Sequence, residues 1–116
     1  MTIFQFSCFL TAISIGLNAF GHHALSQTLS VERLSMFETA SQYLLFGGLW
    51  LLSLTRTPKL PKYALALLIT GIALFCGSLL IYLILPIKAL MLLTPIGGLT
   101  LIAAFVYLGL NANENA

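Results

Sequence analysis

Four apolar runs separated by short polar stretches organise the chain. The first, Ile3 to Phe20, is broken only by Gln5, Asn18 and a few hydroxyls. A mixed segment, Val31 to Glu38, sets charges among Leu34, Met36 and Phe37, and the same helix can continue without a breaker through Ala40 to Leu54. Tyr63 to Leu85 carries no charge, and neither does Ala89 to Leu110, which is interrupted by Thr94-Pro95-Ile96-Gly97-Gly98. A helix rises about 1.5 Å per residue and the hydrocarbon layer is roughly 30 Å thick, so runs of this length suit helices that cross it. The pattern predicts an all-α integral membrane protein, a compact antiparallel bundle of four transmembrane helices forming one domain over 1–116. The spans fall at about 3–20, 39–55, 63–85 and 89–110, with an interfacial helix start at about 31–38. The nearest rival has three spans, with one apolar run lying at the interface.

The polar stretches supply the punctuation. Ser30 is placed to cap the second helix, and Glu32 in its first turn suits the positive end of the helix dipole. Gly47-Gly48 is tolerable inside a membrane helix. Arg56-Thr57-Pro58-Lys59-Leu60-Pro61-Lys62 is the clearest loop, and Pro86-Ile87-Lys88 makes a very short turn. Pro95 is expected to kink the fourth helix or to end a short interfacial turn. Asn111 to Ala116 is a polar tail expected to fray.

Composition strengthens the membrane reading. Of 116 residues, 59% are hydrophobic and 7% charged, whereas soluble domains carry about a quarter charged residues. A soluble chain this small could not hide so much apolar surface. The first run has no Lys or Arg before it, and Ala19-Phe20-Gly21 only loosely resembles a cleavage site, so a retained span is expected rather than a signal peptide. Cys8 and Cys76 lie in separate apolar runs and read as small buried hydrophobes.

Net charge is +2, too weak and too dispersed for a nucleic-acid footprint. Its distribution sets direction instead. Arg56, Lys59 and Lys62 lie in the middle loop, against Arg33 in the first link and Lys88 in the last turn. The positive-inside rule then puts the middle loop and both termini in the cytoplasm. The expected partners are the lipid bilayer and either other membrane proteins or further copies of the chain.

Helices in lipid associate through close packing of small residues. Ala66, Thr70, Ala73 and Gly77 form one stripe, and Cys8, Ala12, Gly16 and Ala19 form another. Gly47, Gly48, Gly97 and Gly98 serve the other two helices. These seams are expected to face inward, with Leu, Ile and Phe outward. Whether the small residues pair helices within one chain or between subunits stays open, and the alternative is that they line a ligand cavity.

The candidate polar site is Asn18, His22, His23 and Glu38. Adjacent histidines on a helix point about 100° apart and rarely share a metal. No Cys, Asp or Glu lies close by in sequence to complete a zinc set. The histidines read as interfacial hydrogen-bonding groups, as a functional polar site, or as metal ligands, in that order. Glu38 reads as an ion pair with Arg33, a solvated contact at headgroup depth, or a functional intramembrane carboxylate. No span holds a central charge of the kind proton-coupled carriers use, and no Walker loop, HExxH or ordered Ser-His-Asp set is present. No enzymatic activity, catalytic residue, metal or cofactor is expected.

Four stretches in order carry a resemblance. These are Asn18-Ala19-Phe20-Gly21-His22-His23-Ala24-Leu25, then Thr39-Ala40 with Tyr43, then Leu74-Phe75-Cys76-Gly77-Ser78-Leu79, then Thr94 to Gly98. In these the chain resembles the domain of unknown function 423 family, YgdD-like small inner-membrane proteins with a eukaryotic branch called transmembrane protein 256. Asn18 and His22 replace a family Gly and Ala, Gly47 stands where many members carry a His, Leu80 replaces a Tyr and Phe105 a Trp. If the family uses a paired-histidine site, this chain lacks half of it. The resemblance implies a bacterial inner-membrane protein with no established reaction. The expectation is a non-enzymatic structural, accessory or oligomeric component. The alternative is a binding or transport module with its polar site near His23 and Glu38.

Overall fold

The structure, a computed structural model, describes residues 1–111, except the side chain of His22. Four helices follow one another: α1 (Ile3–His23), α2 (Val31–Leu54), α3 (Ala64–Ile84) and α4 (Lys88–Asn111), with a 3-10 turn at Leu25–Gln27 between the first two. No strand occurs among the described residues. The tail beyond Asn111 lies outside them.

Local chemistry fixes the boundaries. Thr2 caps α1 in a reciprocal capping box: its hydroxyl accepts from the Gln5 N–H at 3.1 Å, and the Gln5 side chain accepts from the Thr2 N–H at 3.0 Å. Two otherwise orphaned donors are thereby satisfied. Ser30 caps α2, accepting from the Arg33 N–H at 3.2 Å. The interfacial start and the second span are one unbroken helix. Between α2 and α3, Lys59 takes φ 56°, the left-handed region, within the proline-rich turn. Pro95 lies inside α4, which continues through it. Proline removes an N–H, and neighbouring helices make such a break tolerable within a membrane span.

The helices pack in sequence: α1 on α2, α2 on α3, α3 on α4. Each pair is antiparallel, as the facing residues show. Along α1 and α2, Thr11 meets Gly48, Asn18 meets Ser41 and Gly21 meets Phe37. Along α2 and α3, Gly47 meets Ile72 and Arg33 meets Leu83. Along α3 and α4, Gly71 meets Leu101, Phe75 meets Gly97 and Ser78 meets Thr94. The core forms where α2, α3 and α4 converge, on Leu51, Leu68, Ile72, Cys76, Leu101 and Ala104. Among the described residues, three helices are long and apolar enough to cross a membrane: α1 with its following turn, α3 and α4. α2 has the same 24-residue length as α4 but a more polar first half.

Every neighbouring pair crosses at a glycine. A Cβ built on Gly48 would lie 3.0 Å from the Thr11 backbone nitrogen, one on Gly71 would lie 3.0 Å from that of Leu101, and one on Gly97 would lie 2.3 Å from that of Phe75. On Gly47 it would meet the Ile72 side chain at 2.6 Å. Without a side chain the backbones come close enough for dispersion contacts to hold helices that water does not drive together.

The expected inward seams need correction on α1 and α3. Ala12, Gly16, Ala66, Thr70 and Ala73 are exposed, as are Cys8 and Ala19. A Cβ on Gly16 or Gly77 meets nothing within 4 Å. The inner face of α1 is instead Ser7, Thr11, Ser14, Asn18 and Gly21, and that of α3 includes Leu68, Gly71, Ile72 and Cys76. Seven-residue spacing with four-residue steps recurs on both registers of α1, so a small-residue pattern alone did not fix its phase. Of the two cysteines, only Cys76 is buried.

Candidate functional site

One end of the bundle gathers its polar groups: the C-terminal turns of α1 and α3 and the N-terminal turns of α2 and α4. Asn18 donates through Nδ2 to Ser41 Oγ at 3.1 Å, and Ser41 Oγ donates to the Glu38 carbonyl at 3.1 Å. Ser41 is fully buried. These bonds join Asn18 to the Glu38 backbone through a serine that sequence reasoning did not single out. The Glu38 side chain is half-buried one turn before Ser41. His23 is exposed at the last position of α1. The side chain of His22 lies outside the described residues. No group of three or more His, Cys, Asp or Glu among the described residues is placed to hold a metal.

Arg33 makes a longer reach. Its Nη2 donates to the carbonyl of Leu83, one of the last carbonyls of α3, which have no partner within their own helix. A cation there also opposes the negative end of the helix dipole. Between α3 and α4, the Ser78 and Thr94 hydroxyls share a hydrogen bond at 2.5 Å, just before Pro95. Ser7 and Ser14, both fully buried against α2, turn their hydroxyls back to the carbonyls of Ile3 and Leu10 at 2.7 and 2.6 Å. Serine in a membrane helix thus behaves as a small residue with its polarity satisfied locally.

The Asn18–Ser41 contact should contribute modestly. Interhelical side-chain hydrogen bonds in membranes average about 0.6 kcal/mol and reach about 1.7 kcal/mol. Asn18→Leu is expected to fall within that range in reversible unfolding from detergent, and a double-mutant cycle with Ser41→Ala should assign the loss to this pair.

At the other end, Arg56, Lys59 and Lys62 are exposed. The Arg56 guanidinium lies 5.1 Å from the centre of the Phe4 ring, and Lys62 Nζ lies 5.4 Å from that of Tyr63. Tyr63 in turn faces Tyr107 of α4, with ring centres 6.5 Å apart. Trp50 stands edge-on to Phe105 of α4, with ring centres 4.8 Å apart.

Comparison with known proteins places this arrangement in a family. The family described as "Protein of unknown function (DUF423)" matches residues 17–98. The chain belongs to the DUF423 family. A UPF0382 membrane protein of Staphylococcus haemolyticus is 37% identical over 102 residues, covering 84% of each chain. A UPF0382 membrane protein of Schizosaccharomyces pombe is 33% identical over 113 residues, covering 90% of this chain and 96% of the relative. The UPF0382 membrane protein YwdK of Bacillus subtilis is 30% identical over 100 residues. No solved structure matches. The DUF423 region begins just before Asn18 and ends at Gly98, so it contains the Asn18–Ser41 link, the Arg33 reach and the Gly97 crossing. The chain is therefore a helical membrane protein of a family to which no activity is assigned.

Proposed function

We propose that this DUF423 protein is a non-enzymatic structural or accessory component of a membrane assembly, formed with other membrane proteins or with further copies of itself. The observation that carries this reading is the outward placement of its two small-residue stripes, Cys8, Ala12, Gly16 and Ala19 on α1 and Ala66, Thr70, Ala73 and Gly77 on α3. Lipid gains nothing from a flat, small-residue helix face, whereas another helix packs closely on it. Among the described residues, α2 is the one long helix whose backbone packs on α1, which leaves most of its surface for such contacts. The buried serines Ser7, Ser14, Ser41 and Ser78 each hydrogen-bond to a carbonyl of their own helix, so they pack as small residues with their polarity satisfied.

The same reading places all four helices across a bacterial inner (cytoplasmic) membrane. α2 runs antiparallel along α1 and α3 from Arg33 to Gly48, so it shares their depth despite its polar first half. The exposed cations Arg56, Lys59 and Lys62 favour a cytoplasmic α2–α3 loop, and with it cytoplasmic termini.

Gly16→Leu and Gly77→Leu test the assembly. Both positions are open within the chain, so each variant should leave the unfolding free energy of the isolated protein within about 0.5 kcal/mol of the parent. At least one should shrink the complex seen on native gels from mild detergent. Complexes of unchanged size in both variants would refute the assignment of these faces to assembly.

A further inference from the structure

A cleft of about 580 Å³ opens between α2 and α4, with Tyr43, Phe46, Trp50, Phe75, Leu101 and Phe105 among its walls. The backbones of α2 and α4 stay apart, each packed on α3, and the Trp50–Phe105 ring contact bridges them. Gly98 lies on the α4 wall, where a Cβ would sit 3.6 Å from the Phe75 ring. That is ordinary contact, so what this glycine preserves is open space rather than a close crossing. The volume falls in the range of ligand pockets, about 300–1,000 Å³, which occur preferentially between helices of bundles.

Its position selects an occupant. At about 1.5 Å per residue, Trp50 lies roughly 9 Å and Tyr43 roughly 20 Å along the helix from Arg56. One leaflet of hydrocarbon is about 15 Å deep, so the cleft lies at the depth reached by a lipid chain whose headgroup rests at the α2–α3 loop. That loop concentrates three of the five basic residues of the chain. The described carboxylates, Glu32 and Glu38, sit at the far end of α2, with Glu38 roughly 27 Å from Arg56 along the axis. Arg56 leans over Phe4 of α1, away from the cleft, whereas Lys62 stands over Tyr63, which pairs with Tyr107 of α4. We propose that the cleft binds an acyl chain of an anionic phospholipid whose phosphate is held by Lys59 and Lys62. Apolar walls take the chain, the lysines select the charge, and the tyrosine pair marks the boundary between them. This site is separate from the outward stripes, and its test does not depend on the state of assembly.

Trp50, the single tryptophan, reports directly on the cleft. The purified full-length protein in mild detergent is titrated with phosphatidylglycerol carrying brominated acyl chains, and in parallel with phosphatidylcholine carrying the same chains. Phosphatidylglycerol should quench Trp50 fluorescence at a several-fold lower mole fraction. The attraction of a lysine to an anionic lipid surface corresponds to roughly five-fold in affinity, so Lys59→Gln with Lys62→Gln should abolish that preference while leaving quenching by phosphatidylcholine. Gly98→Leu, which fills the cleft, should weaken quenching by both lipids. The lysine variants lie on an exposed loop and carry the test should Gly98→Leu fail to fold. Coincident curves for the two lipids, a preference that survives loss of both lysines, or unaltered quenching in a folded Gly98→Leu protein would each overturn the proposal.

Discussion

Gly97→Ala is expected to destabilise the bundle by about 3 kcal/mol, the upper end of what overpacking usually costs. The added methyl would lie 2.3 Å from the Phe75 nitrogen and 2.7 Å from its Cα. Both belong to the α3 backbone, which cannot swing aside as a side chain can. Relief requires α3 and α4 to separate, and this would also strain the Gly71–Leu101 approach and the Ser78–Thr94 hydrogen bond on the same seam. The neighbouring Gly98→Ala supplies the contrast, because its methyl meets the Phe75 ring at 3.6 Å. That variant should be neutral, or gain up to about 1 kcal/mol from alanine's better helix propensity. Reversible unfolding in mixed micelles measures both. Equal effects at the two positions would contradict the crossing geometry.

Arg33→Met is the second large effect, expected at about 2 kcal/mol. A hydrogen bond to a charged group contributes roughly 1.5–3 kcal/mol, and this one ties the start of α2 to the end of α3 across fifty residues of sequence. Its loss frees the Leu83 carbonyl and removes a cation from the negative end of the α3 dipole. Hydrogen exchange should therefore rise in the last turn of α3 while the α3–α4 crossing stays protected. Arg33→Lys should recover only part of the loss, since an ammonium keeps the charge but not the planar reach of guanidinium. Unchanged exchange at residues 81–85 would show that the contact does not hold that end.

How much of this was legible in the sequence follows from what each signal measures. Four helical runs were legible because bilayer thickness sets their length and because prolines and polar links stop them. Ser30 as a cap was legible because the chemistry is local. The helix phase of α1 and α3 was not. In a soluble helix the outward face is polar and reveals the inward one. In lipid both faces are apolar, so Cys8-Ala12-Gly16-Ala19 and Ser7-Thr11-Ser14-Asn18 are equally good candidates until a neighbour is placed. The hydroxyls were the available clue, since serine and threonine are as small as the other residues of helix contacts and can also hydrogen-bond there, whereas lipid offers them no partner. Gly71 was hidden for the same reason, as an isolated glycine in a run without contrast. The reach of Arg33 to Leu83 depends on tertiary placement that no local pattern carries. At the candidate polar site, composition singled out Asn18 and Glu38 individually, but the buried Ser41 that joins them reads in sequence as one unremarked hydroxyl among many.

The outward stripes make the central claim directly measurable. Native mass spectrometry of the protein ejected from its own membrane with minimal delipidation weighs the intact species. A discrete complex, of several copies or with a second membrane protein, is the predicted result. A bare monomer carrying only lipid would contradict it.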